Sequence, residues 1–371
     1  MIQVWKYHKV PLLFILLSIL FYVSFAYDLQ RDDIPKLLAL YFGLCVSAYV
    51  IIKQSGFNFR LLVIASVIFR LVFILATPNL SQDFYRFIWD GRMILEGFNP
   101  YLYTPDSLIN AGELPVAQAQ DLYNGMGSLS SSHFTNYPPV NQLCFFIAGV
   151  FSSKSTLGAA VVLRILIIMA DMGTLYFGKK LLERLKIPST TIFWYILNPF
   201  IIIELTGNLH FEGVMIFFLI WSLYLLHSGK WCWAAVLIAV SISVKLIPLM
   251  LLPLFFGWFI HRNAKQPLGK RLLNLVTFYS IIGASTLLLF LPFFSMEFIN
   301  NYSKTVGLWF NSFEFNASFY YLARQIGYWI TGYNEIAIIG KILPAISVLF
   351  ILGFTFFRKN NSLEQLMTSM V

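Results

Sequence analysis

The chain has 371 residues, of which 58% are hydrophobic, 18% aromatic and only 12% charged. That balance excludes a water-soluble domain, and repeated apolar runs of roughly 20 residues identify a polytopic α-helical membrane protein. The net charge of +9 is then the bias of basic loops toward one membrane face and gives no reason to expect nucleic acid as a partner.

The N-terminus is a basic flank, MIQVWKYHKV, followed by an apolar run to about Tyr27. Ser24-Phe25-Ala26 resembles a small-x-small cleavage site, so the run reads as a signal peptide or as an uncleaved first span. Its aromatic continuation favours the span. Further spans are expected at about 35–52 and 60–77, with Lys53 and Arg60 in the turn between them. The segment 78–138 is then a long polar loop. It holds two basic residues, Arg86 and Arg92, against six acidic ones, which places it outside the cytoplasm.

The run 139–151 is short for a span, and 157–178 ends in the basic cluster KKLLERLK. If both crossed fully, that cluster would lie outside, so 139–151 reads as a half-penetrating or interfacial helix. Spans at about 188–206 and 213–227 follow. The run from Trp231 to Ile260 is too long for one crossing and carries Lys245, Pro248 and Pro253, so it predicts a broken hairpin turning near Pro248. A span at 272–294 leads to a second outer loop, 295–335, with an aromatic surface helix around Phe319–Ile330. A last span at about 336–357 leaves Arg358 and Lys359 inside. In this layout fifteen lysines and arginines are cytoplasmic and seven are outside, as the orientation rule requires. Cys45, Cys144 and Cys232 lie in apolar stretches and read as small core residues.

The densest polar stretch is SQDFYRFIWDGRMILEGFNPY, from Ser81 to Tyr101. As a helix it puts Asp83, Arg86 and Asp90 on one face beside an apolar stripe of Phe84, Phe87, Ile88 and Leu95. Gly97 and Pro100 end it. The pattern predicts a helix lying at the bilayer surface with its charges toward water. A solvated ion-pair ladder that merely orients a loop is the plainer account of the same spacing.

Charged groups within spans cost several kcal/mol unless paired or wetted, which singles out Arg70, Arg164, Asp171, Glu204, Lys245 and Lys341. Arg164 and Asp171, seven apart on one helical face, read as a structural pair, and Lys341 can snorkel to the interface. Arg70 reads equally as a clamp or as a phosphate ligand. Glu204 and the following LTGNLHFEG bring Asn208, His210 and Glu212 into one short turn. Their spacing is not a recognised metal motif, and hydrogen bonding to a sugar or phosphate suits it better. There is no P-loop, dinucleotide fingerprint or nucleophile elbow.

Four stretches in order, SQDFYRFIWDGRMILEGFNPY, NYPPVNQ, NPFIIIELTGNLHFEG and SVKLIPLMLLPLFF, resemble the GT-C fold glycosyltransferases that use polyprenyl-phosphate sugars. The nearest branch is the bacterial α-mannosyltransferases. The likeness runs from about Arg70 to Phe256, with an echo in FEFNASFYYLARQ and TGYN. It implies that an acidic residue of the first large outer loop is the catalytic base, by position Asp83, with Asp90 of the WDG piece as second candidate. Lys245, His210, Arg86, Arg92, Arg324 and Arg70 are then the pool for binding the donor phosphate. Glu204, Asn208, Glu212, Trp89, Asn99, Tyr101 and Tyr137 are candidates for holding the sugar or acceptor. Trp309 also belongs to the aromatics that could stack on sugar, although interfacial anchoring is their commoner use. Two additional spans precede the loop here, and Glu212 stands where many relatives carry an Asp.

The expected architecture is an all-α polytopic membrane protein, a GT-C-like bundle of about ten transmembrane helices with half-helices and surface-lying helices in its outer loops. A single domain is expected over residues 1–371. The resemblance implies an inverting transfer of a sugar, mannose in the nearest branch, from a polyprenyl-phosphate donor to a hydroxyl of a lipid-linked or glycan acceptor. The implied setting is the bacterial inner membrane, with the site on its extracytoplasmic side. No cofactor is expected; a divalent metal is compatible with such chemistry, but no ligand spacing indicates one. The rival reading is a lipid or sugar transporter or flippase. Against it stand the lack of an internal repeat and the gathering of carboxylates at the surface instead of the midplane.

Overall fold

Chain surrounded by hydrocarbon must satisfy its own backbone N–H and C=O groups, and helices do so within one segment. The computed structural model describes residues 2–55, 58–152, 154–262, 265–311 and 318–370, with side chains over 9–308 and 319–370 of these, and all regular structure among them is helical. Trp309 and the start of FEFNASFYYLARQ lie outside the described side chains.

The chain opens with α1 (Ile2–Tyr27), α2 (Ile34–Ser55) and α3 (Phe59–Leu71). The polar segment that follows holds α4 (Asp83–Leu95), α5 (Pro105–Asn110) and α6 (Ala119–Ser131). Next come α7 (Pro139–Ser152), α8 (Thr156–Arg184) and a pair bent by 54°, α9 (Ser189–Ile196) and α10 (Pro199–Gly207). After α11 (Glu212–His227) and α12 (Trp231–Val244), an extended Lys245 and a 3-10 stretch, Ile247–Leu254, lead into α13 (Phe255–His261). The remainder is α14 (Leu268–Phe290), α15 (Met296–Asn311), α16 (Ser318–Thr331), α17 (Ile336–Phe357) and α18 (Leu363–Met370).

Five of these, α1, α2, α8, α14 and α17, are long and apolar enough to cross a membrane, or six if the bent pair is one span. Shorter apolar helices, α7, α11, α12 and Ile247–His261, complete the membrane-embedded set. Helices stand where most spans are expected, but of about ten only five or six among the described residues are full-length, and the span expected at 60–77 is cut to the 13-residue α3. The expected hairpin is present: the rings of Trp231 and Phe259 lie 6.0 Å apart, so the chain has doubled back. Its break falls at Lys245, just ahead of Pro248, whose ring disfavours helix at the preceding residue.

Helix α4 departs from expectation. It does not lie open at a surface: Arg86 is 3% exposed, Asp90 0% and Arg92 2%. Beyond Asp83, which is exposed, its polar row is covered by protein instead of water. Arg86 donates to the carbonyls of Ser130 (2.6 Å) and His133 (2.9 Å), and Arg92 to that of Ala117. The adjoining side packs on α7 with backbones nearly touching. A Cβ on Gly91 would lie 2.1 Å from the Phe145 carbonyl oxygen, and one on Gly149 would lie 3.2 Å from that of Gly91. Stacked rings of Phe87 and Phe145, 4.5 Å apart, continue the contact.

The buried ion pairs also differ from the expected ones. Asp171 pairs with Arg70 (2.7 Å), with both side chains fully buried, and not with Arg164. Arg70 also donates to the carbonyls of Ser66 and Ile196, so it ties α3, α8 and α9 together. Arg164 serves carbonyls alone: those of Thr206 (2.8 Å), Gly207 (3.1 Å) and Ile74 (3.0 Å).

Candidate active site

The site is built where α10 ends and α11 begins. The last turn of α10, Ile202–Gly207, is wound as a π-helix, and the end of any helix leaves carbonyls without partners. Arg164 satisfies two of them. Gly207 lets this end close on Phe73, which a Cβ would meet at 3.0 Å. The chain then turns through Leu209, whose φ of 61° is seldom adopted outside glycine, before Glu212 opens α11. A strained turn of this kind persists where its surroundings over-determine it.

Asn208 supplies part of that constraint. It is fully buried, donates to Glu204 Oε2 (3.2 Å) and accepts from the Leu80 N–H (3.3 Å), locking the turn to the chain entering α4. Glu204 also accepts from the Tyr41 hydroxyl (3.2 Å), and its Oε2 lies 3.5 Å from His210 Nδ1. Tyr41 on α2 and Ser243, whose Oγ accepts from the Val140 N–H (3.4 Å), were not singled out from the sequence. Neither carries a local pattern that marks it; only tertiary contact does.

Lys245 pairs with Glu212, not with Glu204. Its backbone is extended where α12 ends, so the ammonium leaves the helix axis and reaches across to α11. Both side chains keep about a third of their surface exposed (29% and 31%). Asp83, the first residue of α4, is exposed and has no ion-pair partner among the described residues. Tyr137 joins it to the rest. Burial first, then the charges of Asp83 and Asp90, hold the Tyr137 hydroxyl well above the usual phenol pKa; Arg86 acts the other way and Glu212 adds to the rise. Glu204, His210, Glu212 and Lys245 thus form one polar neighbourhood around the turn, with both carboxylates paired, and Asp83 and Glu212 both act on the Tyr137 hydroxyl.

Several other expected site residues are buried or engaged in contacts of their own. Asp90 accepts from Arg86 Nε (2.7 Å) and from Gln142 of NYPPVNQ (3.0 Å), with no exposed surface of its own. Trp89 is a core residue, and Arg70 and Arg92 are spent on the buried contacts given above. Tyr101 is buried and donates to the Tyr137 carbonyl (2.5 Å), which shapes the site without entering it. Asn99 accepts from the Tyr101 N–H (3.1 Å) and donates to the Phe293 carbonyl (3.1 Å). Arg324 lies over the Tyr321 ring at 4.4 Å on α16. Among the described residues no three His, Cys, Asp or Glu side chains are grouped to hold a metal ion.

The profile of a protein family described as "Alpha-(1->6)-mannopyranosyltransferase, N-terminal domain" matches residues 26–262, which include every group of this neighbourhood. Two curated proteins called alpha-(1->6)-mannopyranosyltransferase A are similar. That of Corynebacterium glutamicum is 27% identical over 187 residues, covering 50% of this chain and 36% of the relative. That of Mycobacterium tuberculosis is 24% identical over 232 residues, covering 62% of this chain and 42% of the relative. The matched part is thus less than half of either relative's length. No solved structure matches the chain.

Proposed function

The chain belongs to the alpha-(1->6)-mannopyranosyltransferase family of GT-C glycosyltransferases, and from that premise we propose that it transfers mannose within a membrane. The donor is a polyprenyl-phosphate sugar, and the acceptor a hydroxyl of a lipid-linked or other glycan. The reaction takes place on the extracytoplasmic side of a bacterial inner membrane. The reading rests on an exposed carboxylate, Asp83, with no ion-pair partner among the described residues, and on a lysine, Lys245, that is tethered to Glu212 yet keeps about a third of its side chain exposed.

In this mechanism Asp83 takes the proton of the acceptor hydroxyl as its oxygen attacks the sugar's anomeric carbon. The bond from that carbon to the phosphate oxygen breaks on the opposite face, which inverts the centre. Lys245, with His210 beside it, meets the charge that grows on the departing polyprenyl phosphate. Glu212 keeps the ammonium aimed before the donor arrives. The carbonyl-bound Arg164 and the Asn208 bridge hold the turn rigid, so the donor encounters groups that are already placed.

The purified protein, offered a panel of polyprenyl-phosphate sugars with a glycan acceptor, is expected to release polyprenyl phosphate from the mannose donor. Asp83→Asn keeps the side chain's size and removes its basicity, so turnover should fall by about 10²–10⁴ with the melting temperature unchanged. A folded Asp83→Asn protein that turns over at the normal rate would remove the base from the mechanism.

A further inference from the structure

The far end of α11 from Glu212 borders a polar cavity of about 330 Å³. Helix α11 starts at Glu212 in the candidate active site and ends at His227 on this cavity, so roughly 24 Å of helix separates the two. Arg184, Lys186, His227, Trp258 and Arg262 line it, with Glu364 and its neighbours at the start of α18. Three fixed cations thus face a single carboxylate.

The arginines are aimed but not neutralised. Arg184 donates to the Tyr224 hydroxyl (3.1 Å) and to that of Ser228, and its guanidinium lies over the Tyr224 ring at 4.2 Å. Arg262 lies over the Trp258 ring at 3.9 Å. Among the described residues none of Arg184, Lys186 and Arg262 is in an ion pair. The His227 Nδ1 is buried there without a hydrogen-bond partner among the described residues. Helix α18 adds the positive end of its dipole. Its first turn lines the cavity, and it is anchored to the core by Leu363 and Leu366, which are almost fully buried.

Like charges collected in a concave wall repel one another unless an anion joins them. Planar guanidinium groups match the oxygens of a phosphate better than they match a halide. We propose that this cavity binds a phosphate-bearing anion, held mainly by Arg184 and Arg262. The two sources of that chemistry are the headgroup of an anionic phospholipid and a free phosphate compound. The site does not depend on the transferase reading, since it shares no residue with it.

The test is calorimetric titration of the full chain in uncharged detergent at fixed ionic strength. The probes are dihexanoyl phosphatidic acid, inorganic phosphate and, as a zwitterionic control of zero net charge, dihexanoyl phosphatidylcholine. Binding of the phosphatidic acid alone assigns the cavity to a lipid headgroup, and binding of both anions assigns it to phosphate in general. An Arg184→Gln, Arg262→Gln double variant should bind about tenfold more weakly or worse at an unchanged melting temperature. Glu364→Gln, which deletes the opposing charge at an exposed position, should tighten binding by about threefold. Failure of both anions to bind, or full affinity in a folded double variant, overturns the proposal. If the double variant does not fold, Glu364→Gln decides, and unchanged or weaker affinity in it overturns the proposal as well.

Discussion

Lys245 has two partners to serve in turn, the Glu212 carboxylate that it touches here and the phosphate it is proposed to meet. The pair is about a third exposed, so screening limits its structural worth to about 1 kcal/mol or less. Removing the lysine should therefore cost catalysis more than stability. Lys245→Met is expected to lower turnover by about 10²–10³ and the melting temperature only slightly. Lys245→Arg keeps a charge and should retain part of the activity. Adding Glu212→Gln to Lys245→Met should restore the melting temperature without restoring transfer. A double variant that transfers at the normal rate would mean that the lysine acts only as a tether. Single residues of this kind are legible in a sequence when they are polar, near a span end and few, as Asp83, His210, Glu212 and Lys245 are. Asp90 and Trp89 look the same by those criteria. What separates them is whether protein or solvent covers the helix face, and no local pattern encodes that.

The crossing of α4 and α7 is set by two glycines, Gly91 and Gly149, each against the other helix's backbone. Alanine at Gly91 would place a methyl carbon 2.1 Å from the Phe145 carbonyl, and backbone cannot rotate away as a side chain does. The helices must part, at a cost of about 1–3 kcal/mol. Gly91→Ala should lower the melting temperature and, because α4 carries Asp83, lower turnover with it; a fully active and equally stable Gly91→Ala protein would show that the crossing has slack. Hydropathy locates elements of this fold well, because burial in lipid demands an uninterrupted apolar run. The span expected at 336–357 and the helix Ile336–Phe357 coincide. Pairings are another matter. Helical periodicity links Arg164 to Asp171, seven positions on, but it cannot see that Arg70 reaches Asp171 from another helix 101 positions away. The broken hairpin was readable from Pro248 and Pro253, whose effect on helix is local and does not wait for tertiary structure.

At the scale of the molecule the two polar openings occupy opposite ends of a helical bundle, joined by α11. Cysteines placed at Ser107 and Tyr333 should be labelled by a membrane-impermeant reagent from outside the cell, and cysteines at Lys186 and Lys265 only after permeabilisation. Labelling of Lys186 from outside would mean that 139–151 crosses the membrane fully and would overturn the layout. The buried Arg70–Asp171 bridge also constrains how such a bundle is made. Helix α3 is 13 residues long and carries Arg70 in its last turn, so on its own it is too short and too costly to settle in hydrocarbon. Its counter-charge is 101 residues further along and, at about 5–20 residues per second, leaves the ribosome roughly 5–20 s later. Through that interval the nascent α3 needs shelter from lipid, either within the insertion machinery or against α1 and α2, so insertion of this chain is a cooperative event and not a procession of independent helices.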